Sequence, residues 1–148
     1  NYYEPGEYRE EHFIIKRFPV IKRNSRIFDK VVSKLLSLNK ENLFPSVSPV
    51  NRAEEEIYLS ENINSPSLIT YLRDNCDDYD IFLFMPYLFP VIIKGIKAVR
   101  DRAILQPCLH DECYAYLDRV GQAFYDAKKY FIIQPVNMRL PECYMVMV

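Results

Sequence analysis

Between residues 81 and 133 the chain alternates short apolar runs with longer amphipathic stretches, and this alternation limits its folds more than any other feature. Ile81-Phe82-Leu83-Phe84-Met85 is a continuous apolar run, bracketed by Asp77-Asp78-Tyr79-Asp80 and Pro86-Tyr87. Such a run reads as a strand covered on both faces. Residues 102–108 predict a second buried strand and residues 130–133 a third. Between them, residues 88–99 predict a helix that Pro90 interrupts or delays, and residues 111–129 predict another, carrying Tyr114, Leu117, Val120, Gly121 and Phe124. Strand, helix, strand, helix, strand at these lengths implies βαβ units and a parallel sheet. Right-handed crossovers would bring Met85, Cys108 and Ile133 to one edge, with Tyr87 and His110 close together at the rim.

The remainder predicts smaller pieces. Residues 1–11 are polar and tyrosine-rich, with a turn at Pro5-Gly6. Residues 12–20 predict a strand closed by Pro19. Ser25 is a candidate N-cap for a helix over residues 26–38, where Ile27, Val31, Leu35 and Leu38 form an apolar stripe. Residues 39–51 read as loop, residues 53–61 as a short acidic helix, and Ser65-Pro66 as the start of a helix ending near Asn75. The length, 148 residues, suits one domain over 1–148. The tail from 135 to 148 ends in Tyr144-Met145-Val146-Met147-Val148, an apolar finish that suggests a missing partner surface or a shortened chain. The start at Asn1 likewise suggests a fragment or a processed product.

Charge and composition remove several function classes. With 19 basic and 20 acidic residues the net charge is −1, which gives no bulk reason for nucleic-acid binding. Three glycines against ten prolines leave little material for a phosphate cradle built from backbone. Neither a P-loop nor a Gly-x-Ser-x-Gly elbow is present. No apolar run is long enough to span a bilayer and no secretory signal is evident. Cys76, Cys108, Cys113 and Cys143 form no CxxC pair, so reduced thiols in the cytoplasm are the expectation.

Chemistry points to Ile104-Leu105-Gln106-Pro107-Cys108-Leu109-His110-Asp111-Glu112, a buried strand followed by one of two histidines and two carboxylates. Ligands of open α/β sheets sit beyond the carboxyl ends of strands. His110 has two readings: a hydrogen-bond or proton donor to a ligand, oriented by Asp111 or Glu112, or a residue of a loop network. Asp111 and Glu112 either complement a helix N-terminus, with Asp111 as cap, or contact a sugar hydroxyl or His110. The order of Cys108, His110 and Cys113 does not match zinc-site spacings. A Cys–His nucleophile pair is not signalled. Lys16, Arg17, Lys22, Arg23 and Arg26 form either a solvated basic face or a contact for anionic lipid headgroups or a lipid diphosphate.

Several phrases, in order, carry a family resemblance. They are Asn1-Tyr2-Tyr3-Glu4-Pro5-Gly6-Glu7, Ile15-Lys16-Arg17-Phe18-Pro19-Val20, Glu54-Glu55-Glu56 with Ser65-Pro66-Ser67-Leu68, the run from Tyr79 to Leu88, and the run from Ile104 to Glu112. Together they resemble the front part of retaining glycosyltransferases of the GT-B architecture, the group commonly numbered four. The resemblance implies an α/β, three-layer Rossmann-like domain with a mainly parallel sheet, incomplete relative to the full GT-B fold. It implies an acceptor-side domain, with a nucleotide sugar as donor substrate of the complete enzyme, no other cofactor and no metal. His110 matches a histidine facing the donor sugar or acceptor hydroxyl, Tyr87 matches a cleft-lining strand end, and Asp111 and Glu112 stand beside them as substrate-binding residues. The implied partners are a glycan or lipid-linked acceptor and a donor-binding domain in cis or in trans, in the cytoplasm, with peripheral contact to the inner membrane left open. The strand expected before Asn1 and the donor domain, with its pair of glutamates, are absent, and Asn137-Met138-Arg139-Leu140 keeps only a trace of the next helix. The chain alone is therefore not expected to transfer sugar. Two alternatives remain: a non-catalytic glycan-binding or partner-docking half, and a hydrolase using His110 with Asp111.

Overall fold

The computed structural model describes residues 4–45 and 47–130. The α/β expectation holds. A three-stranded parallel sheet, in the order β3 (Phe82–Phe84), β4 (Ala103–Leu105), β5 (Lys129–Tyr130), is joined by α4 (Pro90–Ala98) and α5 (Asp118–Asp126). A separate antiparallel hairpin pairs β1 (Gly6–Arg9) with β2 (Ile14–Arg17). Residues 6–9, read as part of a polar lead, are thus a strand. The expected strand over 12–20 shrinks to β2 because Glu10, Glu11 and His12 form the connection.

Three further helices lie between hairpin and sheet. In α1 (Ser25–Leu36) Phe28, Val31 and Leu35 face the core, at helical spacing. Its cap is Asn24, whose side chain accepts from Ile27 N, so Ser25 falls one residue inside the helix. α2 (Arg52–Ser60) opens on a capping box between Asn51 and Glu54. α3 (Pro66–Asp74) starts at the Ser65-Pro66 pair as expected, and Asn75 closes it.

Register pairs Phe82 with Ala103, and Phe84 with Leu105, which in turn pairs with Tyr130; these five share one face of the sheet. α4 and α5 cover that face: Gly95 of α4 lies against Phe84, and Phe124 of α5 meets the Tyr130 ring edge-on with centroids 5.7 Å apart. The other face differs from expectation. Ile81, Leu83 and Met85 are 58%, 58% and 53% exposed, so the first apolar run is covered on one side and open on the other. The described residues form no third layer over it.

The long helix expected over 111–129 is broken. A 3-10 turn spans Cys113–Tyr116, Leu117 is extended (φ −68°, ψ 135°), and α5 begins only at Asp118. Tyr116 donates its hydroxyl back to Asp111 Oδ1 at 3.0 Å, and Tyr58 stacks on Tyr114 with centroids 5.4 Å apart. Packing of these rings outweighs the local preference for continuous helix. The third strand is seen as Lys129–Tyr130, and residues 131–133 and the tail from 135 to 148 lie outside the described residues.

Candidate functional site

Two strand ends meet to build the site. Beyond the ladder, Gln106 N donates to Phe84 O at 2.9 Å, and Tyr87 N donates to Pro107 O at 3.2 Å. The segments after β3 and β4 therefore run on side by side past the carboxyl edge of the sheet. Cys108 then adopts φ +50°, the left-handed region that costs a side-chain-bearing residue about 1 kcal/mol or more. After this turn Leu109 is buried and His110 is exposed.

The imidazole of His110 makes no hydrogen bond to a described residue. The two acids expected to orient it are engaged elsewhere. Asp111 accepts from the Tyr116 hydroxyl, its carbonyl accepts from Lys40 Nζ at 2.5 Å, and its Oδ2 lies 3.8 Å from the same ammonium. Glu112 Oε1 accepts from Tyr87 Oη at 2.8 Å. Asp111 is not a helix cap either, since α5 starts seven residues later at Asp118. What ties Glu112 to the histidine is backbone: Glu112 N donates to His110 O at 2.9 Å.

Tyr87 is also placed differently from a cleft-lining residue. It is 1% exposed, a buried post whose hydroxyl reaches Glu112. Burial, with the Glu112 carboxylate second, pushes its phenol well above the usual tyrosine value, so it stays protonated and donates. Tyr87→Phe removes that donor and should cost about 1 kcal/mol, because Glu112 is half-buried and water replaces part of the bond. Urea unfolding checks this, and an unchanged midpoint would show that the post carries nothing.

The Cys113 thiol is not poised for nucleophilic work. Burial raises the Cys113 thiol above its ordinary value, and Cys108 is exposed. Among the described residues, no group of three or more His, Cys, Asp or Glu comes together to hold a metal ion. Cys143 lies outside the described residues.

Leu109, the residue before His110, lines a groove of about 230 Å³ together with Pro45, Tyr116 and residues of α5. α5 contributes Asp118, Gly121, Gln122 and Tyr125, spaced i, i+3, i+4, i+7 along one helix face. Asp118 and Gln122 are exposed, and the Tyr125 ring is 62% exposed. The volume lies below the ~300 Å³ at which drug-sized ligand pockets begin, so it suits one small ring rather than a dinucleotide. None of the α5 groove residues stood out in the sequence as functional, nor did Lys40. The signal was present for α5, where a glycine sits between polar residues at helical spacing.

Among the described residues, no helix is long and apolar enough to cross a membrane. Compared with protein-family models, with curated proteins and with solved structures, this chain matches none.

Proposed function

We propose that this chain is the acceptor-binding portion of a retaining glycosyltransferase, which moves a sugar from a nucleotide-sugar donor to a glycan or lipid-linked acceptor in the cytoplasm. In this reading the β3-α4-β4-α5-β5 unit is one half of a Rossmann-like GT-B domain, and a donor-binding domain, in cis or in trans, forms the opposite wall of the cleft. One observation carries the proposal: an exposed imidazole just past the carboxyl end of the central parallel strand, on the residue that follows Leu109, which lines a groove of single-sugar size.

His110 donates a hydrogen bond to a hydroxyl of the acceptor or of the incoming sugar. Glu112 and the buried Tyr87 hold the backbone that presents it. The Tyr125 ring offers a face for the C–H side of a pyranose, while Asp118 and Gln122 offer partners for its hydroxyls. Isothermal titration of the chain with hexose oligosaccharides and with a UDP-hexose tests the assignment. The oligosaccharides should bind, and His110→Ala should weaken them by up to about tenfold, the worth of one hydrogen bond. Tight binding of the UDP-hexose by this chain alone, or oligosaccharide binding untouched by His110→Ala, would overturn it.

A second reading, a docking half without catalysis, is favoured by a specific observation: the open apolar sheet face of Ile81, Leu83 and Met85. It predicts that Leu83→Asp abolishes association with a donor-domain chain, while His110→Ala changes nothing.

A further inference from the structure

We propose that the segment entering α1 is a docking surface for an anionic membrane, a role independent of any sugar transfer. Val20 and Ile21 are 57% and 49% exposed, and Ile27 in the first turn of α1 is 39% exposed. Lys22, Arg23, Arg26 and Lys30 alternate with them, all exposed. Asp29 is the one acid in residues 20–30.

Two features mark this stretch. The first is that its cations cluster without acids paired to them. Lys22, Arg23, Arg26 and Lys30 fall within nine residues, and none of them pairs with a carboxylate among the described residues. Arg23 lies over the Phe28 ring, 4.7 Å from its centroid, which fixes its position without neutralising it. The second is that the backbone is held. Pro19 O accepts from Ser65 Oγ at 2.7 Å, Ile21 N donates to Asn64 O at 3.0 Å, and Asn24 N donates to Glu61 Oε2 at 2.6 Å. Glu61, the residue that closes α2, thus accepts from the backbone of this segment. Three anchors thus hold the backbone that carries the two exposed aliphatic side chains among the cations.

Exposed aliphatics flanked by free cations match a bilayer surface, where the acyl boundary takes the apolar groups and the anionic headgroups take the charges. A nucleic acid would use the cations and leave Val20 and Ile21 without a role.

Co-sedimentation of the full chain with vesicles tests the inference. Binding is expected to vesicles of 70% phosphatidylcholine and 30% phosphatidylserine and not to pure phosphatidylcholine. Each lost charge should lower partitioning about fivefold, so Lys22→Glu with Arg23→Glu and Arg26→Glu should abolish it; an acid at position 26 also suits the helix N-terminus, which protects the fold. Val20→Ser with Ile21→Ser, leaving every charge in place, should weaken binding to anionic vesicles but not to heparin. Failure to sediment with anionic vesicles, or equal binding by the serine variant, would overturn the proposal. Either result leaves the oligosaccharide titration unaffected.

Discussion

Gly95→Val should destabilise the protein by about 3 kcal/mol, the upper end of what overpacking a core costs. A Cβ at position 95 would stand 2.6 Å from Phe84 Cε1 and 3.2 Å from Leu72 Cδ1. Neither neighbour can step aside freely, since Phe84 is 8% and Leu72 7% exposed. The helix must therefore lift from β3 or the Phe84 ring must leave its place over the sheet. Gly95→Ala brings the same first clash but gains roughly 1 kcal/mol of helix propensity, so the alanine variant should lie between wild type and valine. Urea unfolding at constant slope measures the order. A loss of this size is a large share of the ~5–15 kcal/mol that holds a domain together. A valine variant with an unchanged midpoint would mean that α4 does not rest on Phe84. The effect should reach the site, because the segment after β3 that carries Tyr87 is what supports Glu112.

Much of this architecture could be read from the residues. Ser65-Pro66 starts a helix because serine caps and proline tolerates the first turn. The apolar runs at 81–85 and 102–108 form neighbouring parallel strands because the helical stretch between them allows a crossover. What misled was context that local pattern does not carry. Ile81-Phe82-Leu83-Phe84-Met85 contains no polar residue to mark which face stays open, and only the register shows Phe82 and Phe84 inside and Leu83 outside. The break at Leu117 follows from rings at 114 and 116 finding Tyr58 and Asp111, partners 56 and 5 residues away in sequence. At the site, exposure of His110 beyond a strand end was legible from the apolar run that ends in polar residues. The partners of Asp111 and Glu112 were not, because Lys40 and Tyr87 reach them from distant parts of the chain.

Glu55 shows how a charged run can conceal a structural residue, and it gives the strongest pH-dependent expectation. In Glu54-Glu55-Glu56 only the middle acid shares a helix face with Tyr58 and Leu59, at i, i+3, i+4, and it is 4% exposed. Its Oε1 accepts from Arg119 N at 2.7 Å, supplying from α2 the cap that Leu117 cannot give α5. Glu55→Ala leaves that N–H without its acceptor in a part-buried place and should cost about 2 kcal/mol, the upper end of what a lost cap costs. Glu55→Gln keeps the acceptor without the charge. Desolvation, resisted by the Arg119 N–H and reinforced by Asp118 and Glu56, raises the Glu55 carboxyl above its ordinary value of 4.5. A raised acid holds its proton more firmly folded than unfolded, so its contribution to stability is complete below the unfolded value and fades as pH climbs through the folded one. Relative to wild type, the glutamine variant should therefore gain stability as pH rises from about 4 toward neutrality, and match it at the acid end. Parallel stability curves for the two proteins across that window would mean that the Glu55 carboxylate is solvated, and that α5 is held by something other than this bond.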